Sequence, residues 1–469
     1  MNFKAIWEEY SRKIEAGNIF DVNALLSLFQ SHHIFDAEII LGSIGNGKAI
    51  DCFKIKSSIG LAFFPVYTTN MKEFSSWDLR MTSIKKKWEC IDWFIPPYIS
   101  NGSISSVLSR TLRLCDVSKE RALDEFEYAL PSLYTIPDMC VFVEQVAIES
   151  DVLSSHVNTL RESILSFYTG YQSSATASLI PIVESALEKL VINQRVTGKY
   201  LKDRIEGLIN NAIDRVCLSK IYNGVWVDEQ YTSQETICRL DDRALMFRVF
   251  GDWLKNSFFV NTNRYDKRSG LNRNIFSHGL SLVWQRTTNF HRLIGILNAV
   301  VFLEYYLIPV SKIGLFYPEM NEQSNSLWED VNVRVSSQSF FKLKSAERTL
   351  RVGTKMPILT NDDGWFLRAT ILTDSCMKGL VEKLRDKAWC CTVHDPLKEG
   401  EFIKVDAMKN DRKLKIGLLY SCASSNHVYK KLEEECDVIL YLGAPYNQNQ
   451  YAYGIQKHVG PLQAWVIPD

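Results

Sequence analysis

The sequence has no Cys-x-x-Cys pair, and its 11 cysteines are odd in number and scattered. This removes a zinc ribbon and a disulfide framework and leaves reduced core thiols as the expectation. Net charge is also missing. Lys+Arg and Asp+Glu each total 54, so binding of nucleic acid through overall positive charge is excluded, and only a local basic groove remains open to that chemistry. A membrane span needs about 20 residues nearly free of polar groups. The most apolar stretch, Leu293 to Val310, contains Gly295, Asn298 and Glu304 and reads instead as a buried helix. The opening MNFKAIWEEYSRKIEAG carries Glu8, Glu9 and Glu15 and has no apolar core of a secretory signal, so a cytoplasmic protein without a membrane partner is expected. No repeat of about 20 to 50 residues recurs, and no low-complexity linker marks a domain boundary.

What is present is the composition of a folded chain, 46% hydrophobic and 23% charged, neither of which fits disorder. At about 150 residues per domain the 469 residues suggest about three cores. The predicted fold class is α+β multidomain, with a central all-α bundle flanked by mixed α/β modules. The first module, residues 1–115, opens with an amphipathic helix (Trp7, Tyr10, Ile14). Extended runs follow at Ala37 to Leu41, Cys52 to Ile55, Leu61 to Tyr67 and Trp88 to Ile95. In residues 116–310, apolar positions recur at three and four spacing, as in Leu179, Ile182, Val183, Ala186, Leu187 and Leu190. Further helices are expected over Leu201 to Val216, Asp242 to Leu254 and Ile275 to Leu307, making an antiparallel bundle. Residues 311–469 are predicted to become extended again after Pro309. A hairpin is expected at Asn361-Asp362-Asp363-Gly364, between PILT and WFLRATIL. A βαβ unit is expected from Lys413 to Tyr420, Val428 to Glu435 and Val438 to Leu442.

Two apparent motifs have ordinary explanations. GSIGNGKA, Gly42 to Ala49, has the spacing of a phosphate loop. However, Ala49 replaces the Mg²⁺-binding hydroxyl, and IDCFKIKSS looks like a strand where a helix must begin. A hairpin turn through Gly45, Asn46 and Gly47 explains the same letters. A nucleotide-driven switch would require Lys48 to contact phosphate. His394 beside Cys390 and Cys391 lacks a third and fourth ligand for a metal, so a structural strand is expected. LGAPYNQNQYAY, within Tyr441 to Tyr453, reads as an ordinary structured loop.

The chemically richest segment is LNRNIFSHGLS, Leu271 to Ser281, which follows the charged stretch NTNRYDKRSG and opens the last apolar helical segment. Arg273 to Gly279 is expected at a loop-to-helix junction inside the bundle. An arginine there can hold a phosphate through its bidentate fork, and a histidine titrating near neutrality can move a proton between RNA oxygens. Asn274 can add a donor or fix the turn. Together they suit in-line attack of a ribose 2′-hydroxyl on the adjacent phosphate. A second match to the Arg-to-His spacing, Arg286 to His291, lacks the Asn and lies within the later helical segment. On a continuous helix the two pairs would be about 140° apart and would not share a pocket.

Arg-Asn-x-x-x-His followed by Gly, set in a helical bundle, resembles the signature of the HEPN ribonucleases. The resemblance covers at most Lys119 to Leu307 and assigns Arg273, Asn274 and His278 to the motif, with Ser277 and Gly279 adding to the likeness. SLIPIVESALEKLV, Ser178 to Val191, resembles the earlier helix of such proteins, in which a carboxylate faces the pocket, and Glu184 is the corresponding candidate. The resemblance implies cleavage of RNA, tRNA or mRNA for example, without a cofactor or metal, leaving a 2′,3′-cyclic phosphate and a 5′-hydroxyl. It also implies a C2 homodimer, a regulatory or antitoxin partner, and a role as a toxin or anti-phage effector in a bacterial cell. The alternative is a non-catalytic HEPN-like module that binds nucleotide or RNA, or scaffolds a partner, through the same pocket.

Overall fold

The computed structural model describes residues 3–30, 34–44, 50–66, 71–352, 363–396, 401–444 and 448–468. Among the described residues the fold is mixed α+β with two sheets. The chain divides into two compact units, residues 1–164 with 173–329, and residues 165–172 with 330–469. The first strands and the helical block, expected as separate modules, belong to the same unit.

In the first unit, helix Phe3–Glu15 buries Phe3, Ile6, Trp7 and Tyr10, which recur every three or four residues and so share one face. That face lies on an antiparallel sheet of β1 (Ile34–Ile44), β2 (Ile50–Ser57) and β3 (Gly60–Pro65). The ring of Trp7 meets Phe64 edge-on at 5.4 Å, and the Tyr10 hydroxyl donates to the Pro65 carbonyl at 2.6 Å. The sheet gains a further edge where the backbone of Trp226 exchanges hydrogen bonds with Leu61 and Phe63 at 2.9 Å each. Trp88 to Ile95 is not extended as predicted. Its first residues finish the helix Met71–Cys90, and Ile91, Trp93 and Phe94 are then buried, with Trp93 and Phe94 against Trp253 and Phe94 also against Phe250. Burial of three bulky side chains in succession outweighs a strand-like composition.

Helices Asn101–Leu114 and Lys119–Leu133 begin at Ser100 and Ser118, whose hydroxyls accept from the backbone N–H three residues on. Helices Gln172–Asn193, Leu201–Arg215, Asp242–Trp253 and Thr287–Leu307 follow. The last is apolar on nearly every side because it is buried on nearly every side. Among the described residues it is the one helix long and apolar enough to cross a membrane, and it is almost wholly buried within the protein. Gly295 lets Tyr134 and Trp93 approach its backbone closely, leaving no room for a Cβ. The predicted continuous helix from Ile275 to Leu307 is interrupted. A short helix, Arg273–Ser277, and a tight turn, Val283–Gln285, precede Thr287.

The second unit corrects the expectation of extended chain after Pro309. Helix Glu322–Val352 occupies much of that region. WFLRATIL is also helical, within Asp363–Ser375, so it is not a hairpin arm; PILT, Asn361 and Asp362 lie outside the described residues. A five-stranded sheet follows in the order β4 (Cys390–Val393), β5 (Phe402–Lys409), β6 (Arg412–Leu419), β7 (Val438–Tyr441), β8 (His458–Pro461). The β6–β7 pair is parallel and joined through helix Asn426–Glu435, the expected βαβ unit. Alternation sorts the strand residues into two cores. Ile403, Leu418 and Leu440 meet Leu372, Cys376 and Leu380, whereas Phe402, Leu419 and Ile439 meet Tyr429 and Leu432.

Candidate functional site

The segment holding Arg273 is fixed by Asn272. Its side-chain oxygen accepts from the Ile275 N–H at 2.9 Å, capping helix Arg273–Ser277. Its amide nitrogen donates to the carbonyls of Ser257 at 2.8 Å and Val260 at 3.0 Å, tying the turn to the preceding helix. Asn274 donates to the same Val260 carbonyl at 3.1 Å. At the other end Gly279, with φ +61°, takes the left-handed conformation that stops the helix, and the Leu280 N–H returns to the Ile275 carbonyl at 3.1 Å. Asn272→Ala is expected to lose the cap and to leave two carbonyls without their donor, costing about 2 kcal/mol of stability. Urea unfolding measures this, and a loss indistinguishable from zero would show that the turn is held by other contacts.

Arg273 meets Glu184, 89 residues earlier in the chain, through a two-pronged ion pair: Nε to Oε2 at 2.9 Å and Nη2 to Oε1 at 2.8 Å. The remaining prong, Nη1, donates to the Asn274 side-chain oxygen at 3.2 Å. Both charged side chains are about one-third exposed, 33% and 35%, so solvent reaches the pair. Arg273 thus contacts both Glu184 and Asn274. His278 is not part of that contact. It sits at the C-terminal end of the short helix, exposed, and its imidazole has no hydrogen-bond partner among the described residues.

The second Arg-to-His match is structural. His291 is buried within helix Thr287–Leu307, and burial pushes its imidazole down to about 4, against a hydrogen bond with the Thr287 backbone that favours the charged form. The folded protein therefore holds this ring neutral while the unfolded chain takes up a proton below its ordinary value of 6.5. Stability from this residue is complete above that value and is lost as pH falls toward about 4, with a total of roughly 3 kcal/mol. Replacing His291 with glutamine is expected to flatten this part of the stability-versus-pH curve. An unchanged slope between those pH values would place the titration elsewhere.

Sequence reasoning missed a buried polar network that reaches the same turn. Arg292, fully buried at 0% exposure, pairs with Glu127 at 2.8 Å. Arg292 also donates to Asn289 at 3.3 Å and to Thr288, whose hydroxyl bonds Glu127. Asn289 donates to the Ser269 carbonyl at 2.7 Å. The hydroxyls of Ser269 and Ser257 both donate to Asp92, at 3.1 and 2.6 Å, and Ser257 in turn accepts from Asn272. Burial raises the Asp92 carboxyl despite these hydrogen bonds and the nearby Arg292 charge. The available signal was the presence of Asn289 and Arg292 near the start of a largely apolar helix, but nothing local identifies their partners.

The other motifs are not assembled into sites. The segment after Lys48 is strand β2, which pairs antiparallel with β1, whereas a phosphate loop must lead into a helix; Gly45 to Ala49 lie outside the described residues. His394 bonds Asp406 at 2.8 Å across the sheet. Among the described residues no cluster of three or more His, Cys, Asp or Glu side chains could hold a metal. Of the LGAPYNQNQYAY loop, residues 445–447 are outside the described set. In the described part Gln448–Tyr451 is a short helix, not a loop, and it is tied down where Tyr441, the last residue of β7, bonds Gln448 at 2.8 Å and the Tyr451 carbonyl accepts from Asn426 at 2.9 Å. Comparison with known protein families, with curated proteins and with solved structures finds no match.

Proposed function

We propose that the protein is a metal-independent endoribonuclease of HEPN type, acting through Arg273, Asn274, His278 and Glu184. The observation that carries this reading is the meeting of Arg273 with Glu184 from a distant helix and with Asn274 beside it, five residues before an exposed histidine that has no hydrogen-bond partner among the described residues. In this mechanism Arg273 binds the scissile phosphate and balances the charge that develops on its oxygens. Glu184 holds the guanidinium in place until the phosphate arrives. The ribose 2′-oxygen attacks the adjacent phosphorus as its proton passes to a base, and the bond to the 5′-oxygen breaks as that oxygen is protonated. His278 acts as the base or the acid. The products are a 2′,3′-cyclic phosphate and a 5′-hydroxyl. In a C2 homodimer two such motifs would face each other and supply both proton-transfer groups. A toxin or anti-phage role under the control of a regulatory partner fits this activity.

The test is incubation with total RNA and a tRNA pool in EDTA, followed by analysis of the product ends. Cyclic-phosphate ends are expected, and 3′-hydroxyl ends would overturn the mechanism.

A second reading is favoured by one observation. Glu184 already occupies the Nε and Nη2 face of Arg273 and Asn274 its Nη1, as in a structural ion pair, which suits a module that binds nucleotide or RNA, or scaffolds a partner, without cleaving. Tight RNA binding with no turnover would select this alternative.

A further inference from the structure

Two cysteines of the first unit meet where two helices end. Cys90 is the last residue of helix Met71–Cys90, and Cys115 caps the C-terminal end of helix Asn101–Leu114. The Cys115 thiol donates to the Lys87 carbonyl at 3.6 Å, and the Lys87 ammonium pairs with Asp116 at 3.7 Å. That carbonyl faces the last turn of its helix, where it also accepts from the Ile91 N–H at 3.4 Å, so a thiol bonded to it lies beside Cys90. The Cys90 and Cys115 thiols are themselves hydrogen-bonded.

The other cysteines are not placed to do the same chemistry. Cys52, Cys140, Cys217, Cys238, Cys376, Cys422 and Cys436 are buried, whereas Cys90 and Cys115 each keep part of their surface in solvent. Cys390 and Cys391 are also reached by solvent, but as neighbours on strand β4 they point to opposite faces of the sheet.

We propose that Cys90 and Cys115 form a reversible disulfide when the protein meets a two-electron oxidant such as hydrogen peroxide. The Cys90 sulfur attacks one peroxide oxygen, the O–O bond breaks, and the displaced hydroxide leaves as water with the thiol proton. The Cys115 sulfur then attacks the resulting sulfenic acid. The S–S bond forms as the S–O bond breaks, and a second water leaves with the Cys115 proton. Two thiols thus lose two electrons and two protons, and one peroxide gains them. Burial, with the Cys90 thiol beside it, pushes Cys115 up to about 12, which suits it to the second step, where the electrophilic sulfur is held against it. The bond closes a loop over residues 91–114, whose first residues, Asp92, Trp93 and Phe94, are buried. Such a link restrains the unfolded chain and stabilises the fold.

The test treats the full chain with a small excess of hydrogen peroxide in EDTA, traps the remaining thiols with N-ethylmaleimide, and maps the peptides by mass spectrometry without reduction. The expected product is a peptide joining Cys90 to Cys115 in most molecules, returned to two free thiols by dithiothreitol. The oxidised protein is expected to melt above the reduced one, and Cys90→Ser to abolish that difference. Should Cys90→Ser fail to fold, the wild-type map decides alone. Label retained on both cysteines, Cys90 driven on to sulfinic acid while Cys115 stays labelled, or an equal melting shift in Cys90→Ser would overturn the proposal.

Discussion

Arg292→Ala is expected to cost about 3–5 kcal/mol of folding stability, a large share of what an ordinary domain possesses. The guanidinium is fully buried and contacts Glu127, Thr288 and Asn289, with the rings of Phe126 and Trp93 at 5.5 and 5.9 Å from its central carbon. Truncation removes these contacts together and leaves the Glu127 carboxylate in a poorly hydrated place. Burial alone would raise that carboxyl, but the charge and hydrogen bond of Arg292 outweigh it and hold it below its ordinary value of 4.5. A carboxyl lowered in the fold contributes stability above its ordinary value and loses it as pH falls through the folded value. In the variant the balance reverses, because burial remains and the opposing charge is gone. The cost of Arg292→Ala should therefore shrink as pH falls through the carboxylate range. Urea unfolding of both proteins across that range measures this, and a loss below about 1 kcal/mol at neutral pH would mean that the network relaxes without strain.

His278→Ala is expected to lower RNA cleavage by about two to four orders of magnitude, the usual contribution of a positioned acid or base. The same change should leave stability within about 0.5 kcal/mol of wild type, because the side chain is exposed and has no partner among the described residues. The two readouts separate chemistry from folding more cleanly here than at Arg273. Arg273→Ala would strip Glu184 of its partner as well as remove the group proposed to bind phosphate. Single-turnover cleavage and thermal melting of the variant together check the expectation, and full activity in a stable protein would remove His278 from the mechanism.

Local periodicity was informative where one pattern dominates. Trp7 and Tyr10 at helical spacing, the alternation of β2, and the strand, helix and strand from 412 to 441 all form as their residues predict. Helix Glu322–Val352 was hidden because Val331, Val333 and Val335 alternate like a strand, yet of these only Val331 is buried. WFLRATIL is a short apolar run, which periodicity alone assigns equally well to strand or helix. Spacing alone also fits Arg286 to His291; the Asn after the arginine, the trailing Gly279 and the expected loop-to-helix junction singled out Arg273, Asn274 and His278 as candidates. Their contact with Glu184 depends on a helix 89 residues away, which no local pattern reaches, and Glu184 came only from the family resemblance. The Arg292 network depends on how polar atoms of one largely apolar helix find partners on other elements.

The most direct test of the central claim compares wild type, His278→Ala and His291→Gln on the same RNA in EDTA, with rates and product ends measured together. The Arg273–His278 site predicts cyclic-phosphate ends from wild type and from His291→Gln, and none above background from His278→Ala. Equal cleavage by wild type and His278→Ala, or no cleavage by any of the three, would contradict it.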